Sequence, residues 1–360
     1  MISPPSYDGR GLVNLTAEIE HRLTGASVWA RLDPGLTQVV PDAETYVLIL
    51  FDGLGLAQLD HPGAASLRQA VVGVLDAPFP TTTSVSLSTI ATGLPPSRHG
   101  QVAHLTWMED VGQVVNCLKW LNLAGEPVPY DYGSVLPAMN LWERLRSAGV
   151  EPITVQPGDF AGSPLTRVLY RGARFEGIWD IEELAIATSQ LAGQPRRLIF
   201  SYFPLVDVAG HVYGLGSDEF SDAIDLAVRI WEQVAATLPP GAALLGTADH
   251  GLVEFSELDK IIVRGKRFDE LRFAGDTRGI HMWAKDATNA ELVELTGGLS
   301  VDPAGLIGPD PTETAMSRLG DTLILAPADK AVIPKGFDRR LRCYHGGLTD
   351  DEVKIPLLVG

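Results

Sequence analysis

The sequence predicts an α/β fold with a central, mostly parallel β-sheet that helices cover on both faces. Short apolar runs recur along the chain, and amphipathic helical segments separate them. Strands that are buried on both faces read as continuous apolar runs, and parallel neighbours are joined by crossovers that are usually helices. The alternation therefore indicates one helix-covered sheet and a single domain that spans residues 1–360.

The predicted strands are short runs rich in branched and aromatic residues. The first clear one covers residues 46–51, which read Tyr-Val-Leu-Ile-Leu-Phe. The others, in chain order, are 153–155, 197–203, 242–246, 260–263, 280–284, 322–325 and 355–359.

The best-defined predicted helix covers residues 217–238. Phe220, Ile224, Ala227 and Trp231 follow the helical period, and Ser217 is a suitable first residue. Further helices are predicted at 137–148 and 180–191. Two stretches interrupt the alternation: residues 101–133, interpreted as a cap over a site, and residues 265–321, interpreted as a small insertion with short strands and one or two helices.

Composition limits the classes of function. The formal net charge of −17 and the pI of about 4.8 argue against general binding to nucleic acid polymers or to anionic membranes. Two cysteines, Cys117 and Cys343, are too few for a disulfide framework or a cysteine-rich zinc site. The N-terminal residues lack the pattern of a signal peptide, and no apolar run is long enough to span a membrane, so a cytoplasmic protein is expected.

The most informative motif is a carboxylate beside a histidine at the end of an apolar strand. Asp249 and His250 follow the predicted strand 242–246 and precede Gly251. Open α/β sheets place their ligands at the carboxyl ends of the strands. Carboxylate oxygen and imidazole nitrogen together suit Zn²⁺ or a similar divalent ion. The pair predicts a metal site that other segments must complete.

A second carboxylate ends the first clear strand. Asp52 follows the apolar run and precedes Gly53 and Gly55, which allow a tight turn. A carboxylate in this place suits a metal ion, and it equally suits the N-cap of a following helix. Both interpretations stay open on this segment alone.

Residues 79–93 form a hydroxyl-rich run in which a loop is expected to become a helix that ends near Gly93. A helix N-terminus attracts anions through its free amides and its dipole. A hydroxyl there, activated by a metal, could attack phosphorus. N-capping and close helix packing by small residues explain the same composition.

Two further segments carry side chains of the metal-binding type. Asp207 and His211 follow the strand 197–203, and their spacing of four would put them on one face of a helix. His345 precedes two glycines ahead of the closing strand. A polar turn explains the first segment and a structural histidine the second, so both depend on the other motifs.

Taken in order, these four motifs resemble those of the alkaline phosphatase superfamily, and most of all its nucleotide pyrophosphatase/phosphodiesterase (type I phosphodiesterase) branch. The resemblance covers residues 46–360. It implies an alkaline phosphatase-like fold and metal-dependent hydrolysis of a phosphoester or nucleotide substrate. It also implies two divalent ions, zinc or alternatively manganese, that clamp a phosphoryl group.

The resemblance assigns a role to each motif residue. One ion would be held by Asp207, His211 and His345. The other would be held by Asp52, Asp249, His250 and the nucleophile. The family's Phe-Pro-Thr-x-Thr run aligns with residues 79–83, which makes Thr83 the nucleophile, with hydroxyl neighbours on both sides.

The chain departs from the branch pattern at two positions that would line the substrate. Ser84 stands where the branch has an aromatic that stacks on a nucleotide base, and His104 stands where it has an Asn that stabilises the transition state. His104 either donates a hydrogen bond to a phosphoryl oxygen or is an ordinary cap residue. The aromatics of residues 101–133 either replace the missing base platform or form a core; they are Trp107, Trp120, Tyr130 and Tyr132. Hydrolysis of simple aryl diesters with a modest preference for nucleotides is expected.

Related chemistries remain as alternatives. A sulfatase needs a modifiable Cys or Ser in a Cys/Ser-x-Pro-x-Arg motif, and neither cysteine lies in the run 79–93. A phosphoglycerate mutase of the superfamily would need a longer insertion than residues 101–133. A phosphomonoesterase, a phosphonoacetate hydrolase-like enzyme that cleaves a carbon–phosphorus bond, and a non-catalytic phosphoester-binding protein stay open.

Overall fold

The structure is a computed structural model that describes residues 3–283 and 286–360. In this part of the chain the strands are β1 (Thr45–Phe51), β2 (Val71–Asp76), β3 (Leu105–Met108), β4 (Gln113–Asn116), β5 (Leu121–Asn122), β6 (Glu151–Pro157), β7 (Arg174–Ile178), β8 (Arg197–Phe203), β9 (Ala242–Thr247), β10 (Val253–Glu254), β11 (Lys260–Ile262), β12 (Arg272–Asp276), β13 (Gly279–Trp283), β14 (Leu299–Val301), β15 (Thr322–Leu325), β16 (Ala331–Ile333), β17 (Cys343–Tyr344) and β18 (Lys354–Val359).

The helices of the same residues, in chain order, are α1 (Leu12–Thr24), α2 (Pro34–Thr37), α3 (Ala65–Gln69), α4 (Thr83–Thr92), α5 (Pro96–His99), α6 (Leu141–Ser147), α7 (Pro164–Leu169), α8 (Glu183–Ala192), α9 (Leu205–Tyr213), α10 (Asp218–Thr237), α11 (Lys266–Asp269), α12 (Asp286–Thr296), α13 (Glu313–Arg318) and α14 (Asp350–Val353). Short 3₁₀ turns connect several of them.

The central sheet has seven strands in the order β2-β18-β9-β1-β8-β6-β7. The five strands from β9 to β7 are parallel, whereas β18 runs antiparallel to both β9 and β2. Helices α1, α4 and α6 pack together, and so do α8, α9 and α10. Every residue of β1 is buried, as expected for a strand covered on both faces. The predicted α/β fold with a mostly parallel sheet is confirmed.

A second sheet of seven antiparallel strands has the order β14-β15-β13-β12-β3-β4-β5. It joins two distant parts of the sequence, because β3 to β5 come from the predicted cap and β12 to β14 from the predicted insertion. The two parts meet where Gly275 of β12 pairs with Leu105 of β3. His104, which directly precedes β3, therefore lies at the junction between the two parts of this sheet.

Local sequence explains where the elements begin and end. Helix α10 starts after Ser217, whose Oγ accepts a hydrogen bond from the amide of Phe220 at 3.1 Å. The predicted helix 137–148 was wrong at its start, because Asn140 caps α6 by accepting from the amide of Glu143 at 2.9 Å. The predicted strand 280–284 corresponds to β13, and Ala284 lies outside the described residues. No helix among the described residues combines the length and apolarity needed to cross a membrane.

Candidate active site

The carboxyl ends of two neighbouring parallel strands bring Asp52, Asp249 and His250 together. Asp52 directly follows β1, and the other two lie two and three residues after β9. The side chains of Asp249 and His250 are completely buried, and that of Asp52 is 5% exposed. His250 Nε2 lies 3.3 Å from Asp249 Oδ2 and 3.7 Å from Asp52 Oδ1.

Helix α9 supplies Asp207 and His211 on one face, one turn apart. His211 Nε2 lies 3.2 Å from Asp207 Oδ1. The helix approaches the end of β1 so closely that the amide of Asp207 donates to the carbonyl of Asp52 at 3.0 Å. Gly53 permits this approach: it has φ 74°, and a Cβ there would lie 2.9 Å from the Cα of Asp207. The glycine noticed after the first strand thus allows two ligand-bearing segments to meet.

His345 comes from the loop between β17 and α14. Its Nε2 lies 3.9 Å from Asp207 Oδ1, and its ring stacks on the ring of His250 with a centroid separation of 3.7 Å. The following Gly346 has φ 108°, and a Cβ there would lie 2.4 Å from the Cβ of Asp276. The loop can therefore pass close to β12 only with glycine at this position.

Thr83 is the first residue of α4, and it is largely buried. Its Oγ1 lies 3.2 Å from His250 Nε2. The first intrahelical bonds are donated by Val85 and Ser86 to the carbonyl of Thr82, so the earlier amides at this helix start are free of the helix ladder. A hydroxyl, free amides and the positive end of the helix dipole therefore share one place, which suits an anionic substrate group.

Two groups of side chains have the spacing of a metal site, with ligand atoms all within 4.8 Å of one another. They are Asp207, His250 and His345, and Asp52, Asp249 and His250. His250 belongs to both groups, and His211 joins the first through Asp207. The structure thus brings together all six Asp and His residues singled out in the sequence.

Three carboxylate oxygens in this cluster have no hydrogen-bond donor although they are buried. They are Asp52 Oδ1, Asp207 Oδ1 and Asp249 Oδ2. A buried carboxylate oxygen without a partner costs considerable free energy. Three such atoms in one cluster fit a set of donors to divalent cations.

The three histidines are oriented in the same way. Each Nδ1 faces a backbone carbonyl oxygen: His211 that of Cys343 at 2.7 Å, His345 that of Thr81 at 2.8 Å, and His250 that of Gly251 at 3.2 Å. A carbonyl only accepts, so Nδ1 carries the proton in each neutral ring, and Nε2 presents a lone pair to the carboxylates. Lone pairs facing carboxylates repel unless a cation lies between them, and this backbone contact is typical of metal-binding histidines.

The electrostatics of the cluster point to the same deficit of positive charge. The pKa of Asp52 is raised well above its ordinary value, first by burial and then by the charges of Asp249 and Asp207. Burial also raises the pKa of Asp207. The pKa of His345 is lowered well below its ordinary value by burial, and next by the neighbouring His250 and His211. Divalent cations would relieve the carboxylate repulsion and bind the neutral imidazoles.

His104 lies close enough to the cluster for His211 to affect its electrostatics. Burial is the main reason why its pKa falls to about 4, and His211 and Lys119 add to the shift. Its Nε2 lies 3.2 Å from the side-chain nitrogen of Asn116, whose Oδ1 accepts from the amides of Leu118 and Lys119. The amide nitrogen of Asn116 must therefore donate, which leaves the proton of neutral His104 on Nδ1.

Ser84 and the aromatics of residues 101–133 do not form an exposed stacking platform. Ser84 is buried, and its hydroxyl donates to the carbonyl of Ala103 at 3.3 Å. Trp120 is 1% exposed and packs against Tyr130 and Tyr132. Trp107 lies under the guanidinium of Arg272 at 3.4 Å. Three of these four aromatics form a packed cluster around Trp120, and the fourth has a cation over its face.

Three residues near the centre were not singled out in the sequence. Tyr202 donates its hydroxyl to Asp52 Oδ2, Asn116 orients His104, and Asp276 accepts from the amide of His104 at 3.3 Å. Burial raises the pKa of Asp276 to about 7, and this hydrogen bond opposes the shift. A polar residue near the carboxyl end of a predicted parallel strand was the available signal for Tyr202; the other two lie on the second sheet, whose pairing was not predicted.

Comparison with protein families decides the assignment. The sequence model of type I phosphodiesterase / nucleotide pyrophosphatase matches residues 46–294. The chain belongs to this family. It is therefore a hydrolase that acts on phosphoric ester bonds, in a metal-dependent family of the alkaline phosphatase superfamily. The matched range contains Thr83 and the ligand candidates from β1, α9 and β9, whereas His345 lies beyond it.

Solved structures of family members and relatives share the fold. Human ectonucleotide pyrophosphatase/phosphodiesterase 5 is 18% identical, with 87% of each chain covered and a TM-score of 0.66. The murine protein of the same name is 17% identical, with 87% of each chain covered and a TM-score of 0.64. Phosphonoacetate hydrolase from Sinorhizobium meliloti in complex with phosphonoacetate is 17% identical, covering 89% of this chain and 91% of that one, with a TM-score of 0.65. Comparison with curated protein sequences gave no match.

Proposed function

We propose that this chain is a phosphodiesterase that uses Thr83 as its nucleophile and two divalent ions, zinc or manganese, as cofactors. The observation that carries the proposal is convergence: Thr83 Oγ1, three imidazole Nε2 atoms and three unpartnered carboxylate oxygens belong to one cluster. Oxygen and nitrogen donors in this mixture suit Zn²⁺. In the proposed arrangement one ion is held by Asp207, His211 and His345, and the other by Asp52, Asp249, His250 and Thr83.

The bound ions would neutralise charge on the phosphoryl group and lower the pKa of the attacking hydroxyl. Thr83 Oγ1 attacks phosphorus in line, so that an Oγ1–P bond forms and the bond to the leaving alkoxide or phenoxide breaks. The phosphothreonine is then hydrolysed by water, which returns the hydroxyl. The free amides at the start of α4 are placed to bind the nonbridging oxygens.

His104 is proposed to donate from Nδ1 to a phosphoryl oxygen. Asn116 supports this role because it fixes the tautomer, and the low pKa of His104 keeps the ring neutral at physiological pH. A neutral donor would serve where the branch has an Asn amide. This role takes precedence over that of an ordinary cap residue.

The edge of the central sheet offers a place for the ester group. Along neighbouring strands β1, β8, β6 and β7, the carboxyl ends carry Asp52, Tyr202, Phe160 and Trp179. Phe160 contacts Tyr202 with ring centroids 6.3 Å apart, and Trp179 is 86% exposed. This row of aromatics supports a substrate with an aryl or other planar ester group. Among solved relatives, the murine phosphodiesterase 5 was obtained as an inactive threonine-to-alanine variant in complex with AMP.

Carbon–phosphorus hydrolysis is a second candidate because a cation lies near the site. Lys119 is exposed and close enough to His104 to lower its pKa, and it could bind a substrate carboxylate. Activity on phosphonoacetate that exceeds activity on diesters, and that Lys119→Met abolishes, would favour this candidate.

The deciding experiment is a substrate screen of protein loaded with Zn²⁺ or Mn²⁺. A bis-aryl phosphate, an aryl nucleotide ester, an aryl monoester and phosphonoacetate are compared by kcat/KM. We expect the diesters to be the best substrates, with a nucleotide preference below about a hundredfold, which corresponds to roughly 2.7 kcal/mol. Absence of bound metal and of activity with every substrate after metal addition would overturn the proposal.

A further inference from the structure

Each buried carboxylate at the end of a central strand has one oxygen that the protein saturates and one that it leaves bare. Asp249 Oδ1 accepts from the amides of Gly53 and His250, both at 3.0 Å, while its Oδ2 has no partner. Asp52 Oδ2 accepts from the hydroxyl of Tyr202, while its Oδ1 has no partner. In both residues the bare oxygen is the one nearer to His250 Nε2.

The donors differ in kind. Asp249 is oriented by backbone amides, which no substitution removes, whereas Asp52 is oriented by a single side-chain hydroxyl. Tyr202 is well placed for this, because it lies on β8 opposite Leu50 of β1 and its ring packs against Phe160. The tyrosine is 7% exposed, so water has little access to replace its hydroxyl.

We propose that Tyr202 is a positioning residue that sets the metal affinity of the buried ligand group by holding Asp52 with Oδ1 toward the ion. This inference rests on the proposed function for the presence of the ion. Partners of a metal ligand in the outer shell commonly change metal affinity by about 10–100-fold when they are removed. Tyr202 acts through Asp52 and needs no contact with the substrate.

The test uses Tyr202→Phe, which removes the hydroxyl and keeps the ring that packs on Phe160. A matched control is Tyr46→Phe: Tyr46 is also buried in the central sheet, and its hydroxyl donates to the carbonyl of Pro41 at 2.7 Å, at the opposite end of β1. Binding of Zn²⁺ alone to the metal-free protein is measured by competition with a chromophoric chelator. This measurement gives the dissociation constants of both positions without any substrate.

We expect Tyr202→Phe to weaken one of the two positions by about 10–100-fold and to leave the other within about twofold, while Tyr46→Phe changes neither. Equal affinities in wild type and Tyr202→Phe would overturn the inference, as would equal weakening in Tyr202→Phe and Tyr46→Phe. If the wild-type protein itself binds no Zn²⁺, the proposed function fails instead, so the two failures are distinguishable.

A second measurement separates action through Asp52 from a general effect on the fold. In an Asp52→Asn background the orienting bond has lost its purpose, so adding Tyr202→Phe should change Zn²⁺ affinity by less than about twofold. Double-mutant cycles detect such coupling between contacting residues. A further loss as large as that seen in the wild-type background would show that Tyr202 acts by another route, and would overturn the assignment.

Discussion

The two halves of the candidate metal centre differ in burial. Asp52, Asp249 and His250 have side chains that are 0–5% exposed, whereas Asp207, His211 and His345 are 12–17% exposed. The buried half is built on β1 and β9, which are hydrogen-bonded neighbours inside the sheet. The open half is built from α9 and a loop that the chain reaches more than a hundred residues later.

This difference teaches how the site divides its tasks. Strand ends fix ligands with the precision of the sheet, and burial strengthens their interaction with a cation. The open half gives water and substrate access. We therefore expect the buried half to bind its ion more tightly, and the open half to exchange its ion and meet the solvent.

The largest expected effect is that of Thr83→Ala, which tests whether the nucleophile belongs to the buried half. The substitution removes the attacking oxygen while both groups of Asp and His remain, so turnover should fall by several kcal/mol of transition-state stabilisation, on the order seen for other nucleophiles. Initial rates on a bis-aryl phosphate and bound metal per chain are the measurements. Thr82→Ala is the neighbouring control, and a loss of turnover in that variant but not in Thr83→Ala would move the nucleophile by one residue.

The next effect compares the halves directly by removing one histidine from each. His345→Ala and His211→Ala should each lower bound metal toward one ion per chain, because both belong to the open half. His250→Ala should disturb both positions, since His250 lies in both ligand groups. Elemental analysis after gel filtration measures the content; two ions retained by His345→Ala would give this residue a structural role and break the comparison.

The smallest effect concerns the substrate rather than the ions. Trp179→Ala should raise KM for an aryl diester by about fivefold, because stacking on an aromatic is worth about 1 kcal/mol or more, with kcat nearly unchanged. Trp107→Ala is the control on the second sheet, where Arg272 already covers the ring. A higher KM in Trp107→Ala with none in Trp179→Ala would place the ester group over the second sheet.

Much of the site could be predicted because its residues follow elements with strong patterns. The runs ending at Phe51 and Thr247 are continuous apolar strands, and parallel strands bring their carboxyl ends to one edge. The spacing of Asp207 and His211 needed only a helix, which α9 provides. Chain order and the family resemblance then linked Thr83 and His345 to these strands.

The rest depended on long-range pairing that local sequence does not encode. Strand β2 alternates between half-buried and exposed residues and includes Gly73, so it lacks the apolar run of the other central strands. Residues 101–133 and 265–321 were interpreted as separate features, and their union in one sheet rests on contacts such as Gly275 with Leu105. Tyr202 has no motif of its own; its role follows from the side chain that lies across the ladder.

The place of β18 has a consequence for biosynthesis. This strand lies between β2 and β9, and Lys354 and Asp76, which form an ion pair across it, are 278 residues apart. A nascent chain that has emerged as far as β9 and His250 can already form the parallel core and the buried ligands. It still lacks His345 and the partner of β2, which arrive roughly 5–20 s later at ordinary rates of synthesis. Hydrolytic competence is therefore acquired after the core has formed, so a ribosome-bound chain is protected from acting on cellular phosphoesters before it is complete.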